Sequence, residues 1–573
     1  MTFRQYSTNP FEGKHKSCSI ALRGFSHYTC RREIDRQYRV ASAVALMQQR
    51  SQSWKPWSAT PNVARVLAWF VAALAMLNAL CFVLRVSSPV IQRDAWYFFD
   101  VFLRKAIDGS LGLGDFFVKR AGVDHAQPLF KLEMLFEWRY FGLDFMVGAV
   151  VGVIAAAASV AILYRIVVAE PRRDGSDIPR CLGWAAMCAV LFSLNGNAGT
   201  WTWPLVALEN ITTLIILVFI VVVWHALKSQ RYLMLAMVTL LLGISSDDSA
   251  LIAVAAVVFA VLMWQICDSA QRRLSTWKVL AVIGVCMVCV RIGYAYAPIV
   301  GLTRATSISF DMGLLLARFQ GDGWWRLAVL PLVLPVSYQS PFPSTHPDTW
   351  MIWQAIMGAL LLVAHLLFWR KAFRIKYNLS IFVAVCLMLL FYGWVAGILV
   401  GRVANLGTDF VNQPRYILLY AGHLIALLLM WAESTQWAFQ RPKWRHVTDI
   451  WVPAGGCLIL LAVQIPLSID AWHIRKAQWA YDANMANQID QLVTDPAHVA
   501  NCLPEQRRIC NLPLEERQKL IQMLSANRLN IFSPQVQQRH PYLPTLSPVP
   551  TGSPDHETGK GSAGAAMPLP SGF

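Results

Sequence analysis

Apolar runs of about 20 residues recur along this chain, and each is long enough to cross the hydrocarbon core of a bilayer. Clear examples cover residues 63–86, 145–168, 203–226, 279–300, 350–368 and 381–400. In lipid, backbone polar groups have no water to bond, so such runs must satisfy themselves as helices. A membrane barrel would instead show short strands of alternating polarity. Composition agrees: of 573 residues, 56% are hydrophobic and 14% charged, against about 25% charge in soluble domains. The fold class expected is all-α, a polytopic transmembrane helix bundle.

Basic loops set the expected orientation. Residues 1–62 are polar and basic, with no early cleavable apolar segment, and read as a cytoplasmic N-terminal arm. The bundle covers 63–469, with about eleven spans. Shorter apolar runs at 181–194, 232–246 and 250–266 are counted among them. Loops 170–180, 370–376 and 441–445 are rich in Lys and Arg and fall inside, which leaves 87–144 and 301–349 as external loops. The latter contains a proline-broken stretch, 327–336, read as an interfacial or re-entrant hairpin. Residues 470–533 form an external C-terminal segment, and 534–573, rich in Pro, Gly and Ser, read as a disordered tail. The net charge of +17 sits mostly beside the spans. Without zinc-finger spacing or a basic recognition helix, nucleic acid is excluded as a partner, and membrane lipids are the expected one. Cys502 and Cys510 lie in the external segment, where an oxidising compartment makes them a disulfide pair.

The chemistry concentrates in residues 92–144. Residues 95–107 place Trp96, Phe99, Leu103 and Ile107 at helical spacing, as in an amphipathic helix lying on a membrane. Residues 128–140 form a second helix, and a glycine-punctuated loop, 109–122, joins the two. Asp94 stands at the start of the first helix, where a carboxylate serves equally as an N-cap or as a general base. Asp100 has Arg104 one turn later, the spacing of an ion pair. Asp124 and Gln127 match an N-capping box, and the adjacent His125 is suited to proton transfer or phosphate binding. Polar residues inside spans are costly and mark function, which singles out Glu209, Asn210 and Arg291. Arg402 and Arg415 flank an external loop, and Arg415 beside Tyr416 is placed either to grip a phosphate or to anchor the next span at the interface. There is no Walker loop, metal-type histidine pair or nucleophile elbow. The residues imply no cofactor, and a divalent metal stays open.

A polytopic bundle with an acidic loop after its first span resembles the GT-C superfamily of lipid-phosphate-sugar-dependent glycosyltransferases. The matching stretch is RDAWYFFD, which makes Asp94 the first and Asp100 the second catalytic candidate. The segments DHAQPLFKL, NAGTWTWPLVALEN, NQPRY and CLPEQRRIC are similar to those of a group of bacterial inner-membrane proteins of this build. Asp94 lacks the adjacent acidic partner common in such loops, since Arg93 and Ala95 flank it. The resemblance implies a multi-pass protein of the bacterial inner membrane, N-terminus cytoplasmic and C-terminus periplasmic, with a lipid-linked sugar donor as partner. The donor's phosphate would meet Arg415 or Arg291, and Asp94 would deprotonate an acceptor hydroxyl on an envelope glycan, lipid or protein. The alternatives are a transporter or flippase of a lipid-linked glycan, and a non-enzymatic envelope-assembly protein.

Overall fold

The computed structural model describes residues 63–120, 126–168, 178–195, 201–267, 273–296, 299–300, 311–320, 323–337, 347–438, 451–497, 499 and 502–545. Among them, nine helices are long and apolar enough to cross a membrane. The protein is a multi-pass membrane protein. Two further apolar helices, Ile178–Leu191 and Tyr232–Ser245, have 14 residues each, about 21 Å at 1.5 Å per residue. The only strand pairing among the described residues is two residues long, Lys119–Arg120 beside Ile299–Val300.

The helix Leu379–Ile398 packs between Asp247–Cys267 and Ile417–Ala438 at the centre of the bundle. The apolar window of 414–433 is 83% buried, whereas that of Val452–His473 is 22% buried and lies at the periphery. Small residues permit the close approaches, as expected where lipid tails remove the hydrophobic drive between helices. A Cβ on Gly393 would stand 2.6 Å from Ile252 Cγ2, and one on Gly152 would stand 2.6 Å from the Ala207 carbonyl oxygen.

Hydrogen bonds between helix ends gather one face of the bundle. Tyr294 Oη donates to the Ile244 carbonyl at 2.7 Å, Trp350 Nε1 to Asp470 Oδ2 at 3.1 Å, and the Ser88 N–H to the Thr202 carbonyl at 3.2 Å. The stretch 323–337 is broken into Gly323–Ala328, Leu330–Val333 and a 3₁₀ turn, Leu334–Val336. Pro331 and Pro335 explain the breaks, because proline removes a donor and clashes with the preceding turn. Carbonyls at the end of the stretch accept from side chains: Trp353 Nε1 reaches that of Val336 at 2.7 Å and Asn195 Nδ2 that of Leu334 at 2.5 Å.

A second layer covers that face, with its own hydrophobic core. Residues 90–103, 130–145 and 485–532 contribute Phe99, Phe102, Met134, Met485, Ile521 and Ile531, all no more than 1% exposed. Trp96, Phe99 and Leu103 therefore do not present an apolar face to lipid. They are buried in protein, and Trp96 Nε1 donates to Gln506 Oε1 at 2.9 Å. The described residues of the C-terminal segment continue past the expected boundary at 533. Pro534–Arg539 is helical, and Arg539 and His540 both bond the buried Asp144.

Candidate functional site

A cavity of about 220 Å³ opens where this outer layer meets the helix ends, and Asp94, Glu209, Arg402, Arg415 and Tyr416 all line it. Each arrives by a local irregularity. Asp94 follows Arg93, whose backbone is left-handed at φ 49°. It occupies the N-cap position of Ala95–Phe98, yet its side chain makes no capping hydrogen bond. Glu209 opens the helix Glu209–Ser229, one turn into the apolar span Leu205–Ser229. Arg402 belongs to a π-helical turn, Leu399–Val403, a device frequent at functional sites. Arg415 lies in a 3₁₀ turn, Pro414–Tyr416. Its guanidinium sits 5.0 Å from the Tyr416 ring centroid and 5.6 Å from that of Phe410. Arg415 Nη2 donates to Tyr416 Oη at 3.3 Å, while Nε is buried with no hydrogen-bond partner among the described residues.

Residues that sequence reasoning did not single out complete the lining. Trp203, Thr212, Ser245, Ser246 and Ser249 add donors and hydroxyls, and Gln127, read in the sequence only as half of a capping box, joins them. The indole Nε1 of Trp203, a residue 3% exposed, has no hydrogen-bond partner among the described residues. The guanidinium of Arg93 lies 5.0 Å from the Trp203 ring centroid, on the outer-layer side. The arrangement combines carboxylate acceptors with two guanidinium groups in a partly enclosed space, a set suited to an anion bearing a reactive hydroxyl partner.

The other predicted residues lie elsewhere. Asp100 sits in a π-helical segment, Phe99–Leu103, and pairs with Arg104 at 3.1 Å; it does not line the cavity. Arg291, half-buried near the end of Arg273–Ala295, is not in the lining either. Asp124 and His125 lie outside the described residues. The N-cap position of Pro128–Phe141 falls on Gln127, left-handed at φ 48°, rather than on Asp124. Cys502 and Cys510 form a disulfide, with Cα atoms 6.7 Å apart.

Helix Pro128–Phe141 is itself anchored by buried side chains whose partners lie outside it. Lys131, 2% exposed, donates from Nζ to the carbonyls of Asp115, Phe116 and Val118 at 2.9, 3.0 and 2.7 Å, fastening the glycine-punctuated loop to it. Glu137 Oε1 accepts from the N–H groups of Val147 and Gly148 at 2.9 and 3.2 Å, satisfying the first turn of the membrane helix Met146–Val167 from outside it. Burial pushes the Glu137 carboxyl up to about 7 despite those bonds, and burial together with neighbouring Glu137 raises Glu133 as well.

Two carboxylates line the cavity, and among the described residues no group of three or more His, Cys, Asp or Glu side chains is placed to hold a metal. No protein-family model matches the chain, and no curated protein is significantly similar to it.

Proposed function

We propose that the protein is a membrane glycosyltransferase that takes a sugar from a polyprenyl-phosphate donor and works on the external face of a bacterial inner membrane. The observation that carries this reading is that Asp94 and the guanidinium-bearing Arg402 and Arg415 line one cavity at the helix ends. In this scheme the nine long and two short apolar helices make eleven spans, with the N-terminus cytoplasmic and the cavity outside. The exposed stripe Leu132, Phe136 and Tyr140, at 57%, 48% and 63%, supports placing helix Pro128–Phe141 at the bilayer surface.

The donor's phosphate enters from the bilayer and is gripped by Arg415 and Arg402. An acceptor hydroxyl, on an envelope glycan, lipid or protein, attacks the anomeric carbon while its proton passes to the Asp94 carboxylate. The bond from the anomeric carbon to the phosphate oxygen breaks, and both electrons leave with the phosphate. The arginines neutralise that charge, which needs no reorganisation at the moment of reaction. A cavity confined to one end of the bundle supports transfer over transport, which calls for a path at mid-membrane.

Binding tests the phosphate half of this scheme. Polyprenyl phosphate added to the purified protein should bind at least tenfold more weakly to Arg415→Ala and Arg402→Ala. Arg291→Ala, away from the cavity, should bind as the unmodified protein does. Equal affinity in all four proteins would remove the cavity from donor recognition.

A further inference from the structure

We infer that the disulfide-closed loop between Cys502 and Cys510 positions Asp94, acting through Glu505 and Gln506. The inference rests on the reading of Asp94 as the general base, but its structural basis is independent of that chemistry.

Arg93 holds a left-handed backbone, φ 49°, an unfavourable conformation for a residue with a long side chain unless its surroundings enforce it. The enforcement comes from a residue 412 positions away. The Arg93 N–H donates to the Glu505 carbonyl at 2.6 Å, and Arg93 Nη2 donates to Glu505 Oε1 at 2.9 Å. Burial raises the Glu505 carboxyl, but hydrogen bonds from Tyr481 and Arg93 outweigh it and hold the group below its ordinary range. Glu505 therefore stays an anion facing Arg93, whose guanidinium also rests against Trp203 in the cavity wall.

Gln506 fixes the chain on both sides of Asp94. Its Nε2 donates to the Ile91 carbonyl at 2.7 Å, and its Oε1 accepts from Trp96 Nε1 at 2.9 Å. The residue is 1% exposed, so a lost partner would not be replaced by water. The Arg508 guanidinium lies 3.5 Å from the Tyr97 ring centroid. The segment 91–97 is thus held at four of its residues, Ile91, Arg93, Trp96 and Tyr97, by three residues of one short stretch, Glu505, Gln506 and Arg508.

The loop that presents these side chains has little regular structure of its own, one 3₁₀ turn, Pro504–Gln506, and one helical turn, Arg507–Cys510. The disulfide closes it, which limits the alternatives open to the chain. Arg517 secures its far end, donating to the carbonyls of Cys510, Leu512 and Ile509 at 2.7, 2.8 and 3.2 Å. Glu505 and Gln506 thereby act on the orientation of the Asp94 carboxylate through the backbone that carries it.

Hydrogen exchange on the full-length protein in lipid nanodiscs tests this directly. In Gln506→Ala, and in the double variant Cys502→Ser with Cys510→Ser, amides of residues 88–98 should exchange at least tenfold faster. Amides of Leu514–Ala526 and Met146–Val167 should stay within twofold of the unmodified protein. Gln506→Glu, which keeps the acceptor for Trp96 but loses the donor to Ile91, should fall between. Unchanged exchange over 88–98 in Gln506→Ala overturns the inference, and so does a uniform loss of protection through Leu514–Ala526, which would make the loop a general fold element. Gln506→Ala retains the disulfide and decides the matter should the serine variant not fold. Glycosyl transfer measured on the same samples should show a tenfold or greater fall in kcat with the KM for the polyprenyl-phosphate sugar unchanged; a matching rise in KM would contradict positioning of the base. Asp94→Asn should exchange as the unmodified protein does. Absence of transfer in the unmodified protein would count against the proposed function, while the exchange pattern would still decide the role of the loop.

Discussion

The bundle and the layer above it solve the same problem, burying a backbone, by opposite means. In the bundle each helix satisfies its own N–H and C=O groups, and neighbours meet through small residues such as Gly152 and Gly393. In the outer layer, irregular backbone is satisfied by side chains from distant parts of the chain. Asn530 is the clearest case: its Nδ2 donates to the carbonyls of Pro89 and Leu143 at 2.5 and 2.7 Å, and its Oδ1 accepts from the Ile91 N–H at 3.4 Å. One fully buried amide thus ties the two ends of the first loop to each other and to the C-terminal segment. The cavity forms where the self-sufficient region meets the cross-linked one. Turns at the helix ends carry the arginines, and a clamped loop carries Asp94.

That contrast can be broken first at Asn530. Asn530→Ala strands two buried carbonyls and an amide, and alanine tolerates the left-handed backbone there, φ 56°, poorly. A loss of about 3 kcal/mol in outer-layer stability is expected, read as faster hydrogen exchange over 485–532 with the bundle helices unaffected. Loss of protection in both regions together would show that they are not separable. In the bundle, Gly152→Ala forces a Cβ against the Ala207 carbonyl oxygen. Overpacking against backbone costs about 2 kcal/mol, and because the adjoining Leu205, Val206 and Leu208 line the cavity, donor binding should weaken with it. Gln506 exchange should stay as it is.

A gentler probe is pH. Asp482 is buried, and burial raises its carboxyl to about 7 despite hydrogen bonds from Ser88, Gln478 and Tyr542. A carboxyl raised on folding stabilises fully below its ordinary value near 4, and that contribution is lost as pH climbs through 7. Thermal unfolding of the outer layer should therefore reveal about 1 kcal/mol lost between pH 6 and pH 7. Asp482→Asn should flatten the slope in part, Glu137 contributing in the same direction. The smallest effect belongs to the half-buried pair Asp100 and Arg104. Asp100→Asn should cost about 0.3 kcal/mol and leave transfer unchanged; a large loss of activity would return Asp100 to the catalytic set.

What the sequence made legible follows the same division. The long apolar helices could be read because hydropathy is a local property, and because in lipid a long apolar run has one solution. Arg402, Arg415 and Asp94 could be named because charged residues beside spans stand out. Residues 95–107 were legible as a helix, but the destination of their apolar face was not: Trp96 and Phe99 suit a membrane surface or a protein core equally well, and only the C-terminal segment decides between them. Asn530, Gln506 and Lys131 carry no signal in a single sequence, since a buried amide or lysine is defined by the carbonyls it meets. Those partners lie up to 441 positions away for Asn530. Asp124 read as a cap because of its spacing, whereas the helix begins later, at Pro128, with its fixed backbone angle suited to a first turn.

The central claim, that the cavity beneath the clamped loop transfers sugar with Asp94 as base, is tested most directly by one comparison. Proteoliposomes containing either the unmodified protein or Asp94→Asn are supplied with radiolabelled polyprenyl-phosphate sugar and envelope extract as acceptor. Incorporation should fall by a factor of about 10² to 10⁴ in Asp94→Asn, with folding and donor binding unchanged. Incorporation by Asp94→Asn at the unmodified rate would contradict the account.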